Sequence, residues 1–511
     1  MKAESEKNLK LNSLPSVFEL IKEIEKNFPI DSITLSDGTK LWNLIRVLLY
    51  FYPMKKDANN REEKISPKSL FYLLKEGLSP LNVSNKKIGI CGFSGTENRK
   101  FRDGKFYDIY MDPLYDVLGD NFYVFEWTTP KGYRRKYGKG IYSKNYVAMH
   151  IPLFSKTFFD LAVYKLFKKR KFFIEHEKVL QDIITFFSEK TATDKNDLMQ
   201  NIYDSVAVFF HMKEFFIKLL RQISPKAVLI RCGYGRFHMA LSQACRELNI
   251  PSIELQHGII TKYHAGYVKV TESENRDCVP EYILTYGDEF TDIIRKGSLF
   301  EREKVVTVGF PYLEEVKKSP PVVNDRLNDF VSKFTTTILV TSQWTVAEEL
   351  KNFFIELSEK LKKINMDVGI VFKPHPRDWR NYSDIEKIEN MFIANKYDDI
   401  YEILKVIDIH STAYSTSGLE ALAFGKPNIF IDVGKTTIEE IINVIDNKTS
   451  FLVSSTQEYV TKMEYIVSHY ESLSKKAIKK SEIFFKPNAK KNIERFLKSI
   501  GISIINNDEG K

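Results

Sequence analysis

Residues 370–379, IVFKPHPRDW, set Lys373 and His375 between prolines directly after an apolar run. Proline fixes φ and keeps the residue before it extended, so both side chains leave a strand end on a stiffened loop. Lysine brings a fixed positive charge and a protonated imidazole brings a donor, which is what a departing phosphate needs. A strand-ending turn with a solvated lysine is the plainer alternative. Downstream, STAYSTSG at 411–418 gathers Ser411, Thr412, Ser415, Thr416 and Ser417 ahead of Gly418, where a helix should begin. Amides at a helix start attract anions, hydroxyls add donors, and a glycine lets a ligand approach the backbone. Ser342-Gln343, after TTTILVT, forms a third loop of this kind. Glu420 reads either as a ligand of ribose hydroxyls or as the partner of Ser417 in a capping box. If the Lys373–His375 and serine/threonine loops end neighbouring strands, they converge on one anion, and a nucleotide mono- or diphosphate fits.

Earlier in the chain, LQHGII at 255–260 puts His257 before Gly258 at the end of another apolar segment. A histidine there is a candidate general base or substrate contact, or else a structural imidazole bonded to a loop carbonyl. Asp103 in FRDGK and Asp112 in YMDPL are further base candidates. No Asp-x-Asp occurs, so the chemistry calls for no metal, and no cofactor is indicated. The four cysteines, Cys91, Cys232, Cys245 and Cys278, are far apart and form no CxxC, which fits a reducing compartment.

The elements that must position these residues are legible in the hydrophobic texture. Residues 1–85 read as a helical extension, with VFELIKEIEKNF at helical spacing and LWNLIRVLLYFY after an SDG turn. KKIGICGFSG and NFYVFEW read as strands, while the segment between them resists assignment. From residue 226, KAVLI, RCGYG, RFHMALSQACREL and PSIELQ spell strand, glycine loop, helix, strand, and EYILTYG and EKVVTVGFP continue the series. A second set starts near 335: TTTILVTSQ, a helix with Leu350, Phe353, Phe354, Leu357 and Leu361 on one face, VGIVFKPHP, DDIYEILKVI, DIHST, SGLEALAFG and PNIFID. Successive βαβ units imply parallel, doubly wound sheets. The fold class is therefore α/β, with two facing Rossmann-like domains at 86–318 and 319–475. Pro320-Pro321 marks a hinge, and a helix and tail at 476–511 cross back to the first domain.

At 511 residues with a net charge of +9, the chain has the composition of a soluble globular protein. Basic residues interleave with aromatics at 131–146 and 165–173, which fits contact with a membrane surface across 131–173 or with a polyanionic acceptor. No nucleic-acid motif accompanies them. The polar N-terminus shows no secretory signal, and the most apolar stretch, 41–52, is too short to span a bilayer and carries Arg46. A cytoplasmic protein, peripheral on the inner face of the plasma membrane, is expected.

QHG, TYGDEF, VGFPYLE, VTSQ, KPHP and STSGLEALAFGKP, in this order over roughly 226–435, resemble bacterial capsule and lipopolysaccharide glycosyltransferases of GT-B fold. Polysialyltransferases, capsule Kdo transferases and the glycerophosphotransferases that build teichoic acid share this layout. The resemblance implies a metal-independent, inverting glycosyltransferase moving a sugar from a CMP-, UDP- or GDP-linked donor to a capsule or O-antigen polysaccharide or a lipid-linked glycan. It places His375 and Ser415, Thr416 and Ser417 on the nucleotide phosphate, in a C-terminal donor domain facing an N-terminal acceptor domain. The acidic pair before glycine that carries the base in polysialyltransferases is missing from the N-terminal half; Asp508-Glu509-Gly510 spells it, but in the tail. A CDP-glycerol-type glycerophosphotransferase and a non-hydrolysing UDP-sugar 2-epimerase are the enzyme alternatives. A catalytically inert polysaccharide- or membrane-binding assembly partner is the non-enzyme one.

Overall fold

The structure, a computed structural model, describes residues 14–55, 88–102, 104–127, 140–149, 173–378, 380–433 and 444–502. Asp103, most of 131–173 and the Asp508–Gly510 tail fall outside them. The chain forms two compact units, Met1–Gly309 with Ala489–Lys511, and Phe310–Asn488. Pro320 and Pro321 lie within the second of these.

In the first unit, helices α1 (Leu14–Asn27) and α2 (Trp42–Lys55) precede strands β1 (Ile90–Gly95), β2 (Phe122–Trp127) and β3 (Tyr146–Ala148). Helices α3 (Glu177–Thr191) and α4 (Lys195–Ile223) follow, then β4 (Ala227–Ile230), α5 (Arg236–Glu247), β5 (Ser252–Leu255), β6 (Tyr282–Thr285) and β7 (Val305–Thr307). The seven strands are ordered β3-β2-β1-β4-β5-β6-β7 and every pair is parallel. Order reverses between β1 and β4, the switch point at which doubly wound sheets open a crevice at their carboxyl ends. The unassigned segment before β2 contains an antiparallel hairpin, Arg99–Arg102 against Lys105–Asp108.

Arg46, the charge inside the apolar α2, is fully buried. Its guanidinium binds Glu25 of α1 at 2.9 Å and donates to the carbonyls of Val268, at 2.8 Å, and Ala265. Pairing and carbonyl acceptors satisfy a charge that would otherwise be costly to bury. Arg46 thereby fastens the helical extension to the loop that follows His257.

The second unit runs β8 (Thr336–Thr341), α6 (Ala347–Lys363), β9 (Val368–Lys373), β10 (Met391–Ile393), α7 (Ile400–Val406), β11 (Ile409–Thr412), α8 (Ser417–Ala423), β12 (Asn428–Ile431) and β13 (Ser450–Val453). Helices α9 (Thr456–Ser468) and α10 (Tyr470–Ser481) close it, and α11 (Ala489–Ser499) belongs to the first unit. Its six parallel strands are ordered β10-β9-β8-β11-β12-β13, so the switch point falls between β8 and β11. Every residue of β8, β9, β11 and β12 is buried, as expected for parallel strands covered on both faces. Leu350, Phe354, Leu357 and Leu361 of α6 are fully buried against this sheet and Phe353 partly so, stabilising the layer by about 1.5–3 kcal/mol per buried side chain.

Candidate functional site

In the second unit the three candidate loops leave the carboxyl ends of β9, β8 and β11, and this corrects one expectation. The Lys373–His375 and serine/threonine loops do not end neighbouring strands: β8 lies between them, and Ser342-Gln343 separates them. Two strand spacings amount to about 10 Å, a span suited to a multi-atom ligand rather than a single anion.

The side chains then divide by what they touch. Lys373 is buried and its ammonium donates to the Lys396 carbonyl at 2.9 Å, bracing the loop after β10. His375 is half-buried, and its Nδ1 accepts from the Arg377 amide at 3.0 Å, which leaves Nε2 as the ring's N–H donor when the imidazole is neutral. Arg380 bridges two of the loops, donating to the Trp344 carbonyl and pairing with Asp378, both at 3.0 Å. Gln343 accepts from the Tyr414 amide at 3.0 Å, linking the β8 and β11 loops. Ser342 is buried, its amide bonded to the Lys373 carbonyl at 3.0 Å.

Within the serine/threonine run, Ser411 bonds Tyr459 at 2.6 Å and Thr412 donates to the Thr341 carbonyl at 2.8 Å, so both serve the fold. Ser415 Oγ accepts from the Ser417 amide at 3.3 Å and Thr416 is exposed. The capping box does not form. Thr416 precedes α8 in helical backbone with no side-chain cap, Ser417 bonds Thr341 at 2.7 Å, and Glu420 accepts from the Tyr401 hydroxyl at 2.7 Å. Gly418 has a packing reason: a Cβ there would stand 2.6 Å from the Phe430 ring.

Sequence reasoning missed the frame behind this loop. Asn428 donates through Nδ2 to the Gly418 carbonyl at 2.8 Å, so its Oδ1 accepts from His410 Nδ1, also at 2.8 Å. His410 Nε2 then accepts from Thr341 at 2.9 Å, and Thr341 in turn accepts from Ser417. Burial holds the His410 imidazole down at about 4, partly opposed by Asn428. Because the folded value lies below the ordinary 6.5, the unfolded chain takes up the proton first. Stability from this group is complete above about pH 6.5 and drains away as pH falls towards 4. Between pH 7 and 4.5, denaturant titrations of wild type should lose up to about 3 kcal/mol more than those of His410→Gln. Equal slopes for the two would show that His410 does not titrate on unfolding.

The first unit holds the other candidates. His257 follows β5, and its side chain is 12% exposed. Its Nε2 lies 3.1 Å from the Tyr234 hydroxyl and its Nδ1 3.1 Å from that of Tyr267, while its carbonyl accepts from Tyr110 at 3.0 Å. Burial keeps the imidazole neutral, far below its ordinary pKa, with Arg231, His264 and His238 adding to the effect. Arg231, directly after β4 at the switch point, pairs with Glu97 at 3.2 Å and stands over the Tyr110 ring. Asp112 is a brace rather than an accessible base. It is buried and accepts from the Asp108 amide at 2.7 Å, Ser143 at 2.5 Å and Arg99 at 3.4 Å. Burial raises its carboxyl to about 7.

Among the described residues no group of three or more His, Cys, Asp or Glu is arranged to hold a metal ion, and no helix is long and apolar enough to cross a membrane.

Comparison with known proteins agrees with this architecture. No protein-family model matches the sequence. An uncharacterized protein of Methanocaldococcus jannaschii is 24% identical over 332 residues, which are 63% of this chain and 53% of that protein. The chain thus spans about half the length of the curated relative it matches. Among solved structures, a Listeria monocytogenes protein provisionally described as a UDP-N-acetylglucosamine 2-epimerase aligns over 81% of this chain and 96% of its own, with 14% identity and a TM-score of 0.51. The UDP-GlcNAc 2-epimerase of Neisseria meningitidis aligns over 80% and 100%, at 15% identity and 0.48. The wall teichoic acid polymerase TagF aligns over 90% and 97%, at 12% identity and 0.45. At such identities the likeness is one of fold: an α/β protein of two Rossmann-like units.

Proposed function

We propose that this protein is an inverting glycosyltransferase that takes a sugar from a nucleotide-linked donor and places it on a surface polysaccharide or lipid-linked glycan. The observation that carries the reading is the second unit's switch point. There a parallel sheet of nucleotide-binding order ends in a His-Pro loop, a Ser-Gln loop and a serine/threonine loop, side by side on β9, β8 and β11. In this reading Ser415, Thr416 and His375 meet the phosphates and Gln343 orients the β11 loop. Lys373 stiffens the loop carrying His375. Glu420, held by Tyr401, is in this reading the residue that would meet the ribose hydroxyls. His257 in the first unit is the base that deprotonates the acceptor hydroxyl, and donors placed where charge develops on the leaving phosphate supply most of the rate enhancement.

A thermal-shift screen with CMP, UDP, GDP and CDP should show one nucleotide stabilising wild type. His375→Ala and Ser415→Ala should each weaken that shift and cut turnover about 10²–10³-fold. Normal turnover in both would overturn the phosphate assignment. Conversion of a free UDP-sugar without any acceptor would replace transfer by epimerisation.

A further inference from the structure

We propose that Glu254 and Tyr267 fix the proton of His257 on Nδ1, leaving Nε2 basic, and that the Tyr234 hydroxyl relays the acceptor's proton to it. The inference rests on His257 being the base and adds the residues that would make it one. It follows from the direction of each hydrogen bond. Glu254, on β5 and 1% exposed, accepts from the Tyr267 hydroxyl at 2.6 Å and from the Gly233 amide. Burial raises the Glu254 carboxyl to about 7, so above that pH it is ionised and can only accept, and the phenol's single hydrogen is committed to it. Toward His257 Nδ1, at 3.1 Å, the Tyr267 oxygen can therefore only accept, so Nδ1 carries the hydrogen. In a neutral imidazole Nε2 then bears the lone pair, and the Tyr234 hydroxyl 3.1 Å away donates to it.

The surroundings hold this wiring in place. The Tyr234 ring packs against His257, His264 and Tyr267 with centroids 4.9–5.4 Å apart, and stacks on Phe51 of α2 at 5.7 Å. A side chain at Gly266 would strike that ring at 2.7 Å, so the glycine keeps its place open. Charged and titratable groups facing the imidazole are Arg231, His238 and His264, which disfavour a positive ring, and Glu254, whose Oε1 lies 3.9 Å from Nδ1 and favours one, as does the Arg231 backbone carbonyl. When the acceptor's O–H bond breaks, its proton passes to the Tyr234 oxygen as Tyr234's own proton passes to Nε2. Tyr234 ends neutral, the imidazolium faces the Glu254 carboxylate, and the acceptor oxygen bonds the anomeric carbon as the bond to phosphate breaks. Tyr234 is thus a catalytic residue, and Tyr267 and Glu254 are positioning residues.

The test is long-range proton–nitrogen NMR on the full chain labelled at histidine, with His257 identified by the signal lost in His257→Gln. At pH 8, where the Glu254 carboxyl is ionised, wild type should show an Nδ1-protonated ring. In Glu254→Gln the new amide donates to the Tyr267 oxygen, Tyr267 turns its hydrogen to Nδ1, and the ring should flip to Nε2–H. Its kcat should fall at least about 10²-fold with KM little changed. Glu254→Asp should restore the Nδ1-protonated ring and part of the rate. Tyr234→Phe, which leaves Glu254 and Tyr267 intact, should lower kcat without moving the tautomer. An Nε2-protonated ring in wild type, or a normal kcat in Tyr234→Phe, would overturn the proposal. A ring that flips as expected while His257→Gln and Glu254→Gln turn over normally would instead overturn His257 as base, leaving the assigned hydrogen bonds standing.

Discussion

Replacing His257 with alanine is expected to lower turnover about 10³-fold while leaving nucleotide affinity unchanged, within the 10²–10⁴ range of a positioned general base. The separation of effects follows from the proposed division of labour, with the base just after β5 of the first unit and the nucleotide loops after β8, β9 and β11 of the second. Burial, reinforced by Arg231, His264 and His238, holds the imidazole itself basic well below pH 6.5, so the rate should instead fall below about pH 7, where the Glu254 carboxyl takes up its proton. Stopped turnover and calorimetric nucleotide titration on the same preparation check both halves. An alanine variant with more than a tenth of the wild-type rate would remove His257 from the chemistry.

The second large effect concerns stability. Arg99 is buried among Glu126, Asp108 and Asp112, bonded to Glu126, to the Phe106 carbonyl and Ser143 at 3.0 Å each, and to Asp112 at 3.4 Å. Arg99→Met keeps much of the side-chain volume and deletes the only cation in this set. Removing one partner of a buried ion cluster strands the rest, and about 3–5 kcal/mol should be lost at pH 8. The loss should shrink at pH 5. Burial has already raised the carboxyls of Asp108 and Asp112, the latter to about 7, so the folded variant can neutralise them while the unfolded chain stays ionised to near pH 4. Denaturant midpoints at the two pH values decide it, and a loss under 1 kcal/mol at pH 8 would mean that the cluster does not depend on its cation.

Much of the scaffold could be read from the amino acids because parallel strands buried on both faces appear as short apolar runs between glycines and prolines. TTILVT, VGIVFK and NIFI became β8, β9 and β12 for that reason. The same runs are silent about lateral order, which is set by contacts between distant segments, so nothing in them shows that β8 separates β9 from β11. His257 was conspicuous beside its glycine. Tyr234, 23 residues away, and Tyr267, 10 away, were not, since their hydroxyls reach the imidazole only once β4 and β5 pair and the following loop folds back. Of the two readings open for Glu420, the capping box with Ser417 fails because Thr341 and Tyr401, invisible to a local pattern, bind those side chains first.

The return of α11 to the first unit has a consequence for biosynthesis. Asn492 caps the Val308 carbonyl at 2.9 Å, Phe496 packs edge-on against Tyr282, and Lys490 pairs with Asp116. Everything from Phe310 to Asn488 must leave the ribosome before those contacts can form. The half translated first is therefore finished last, and it waits with an uncovered flank while the inserted half, continuous in sequence, is free to fold ahead of it.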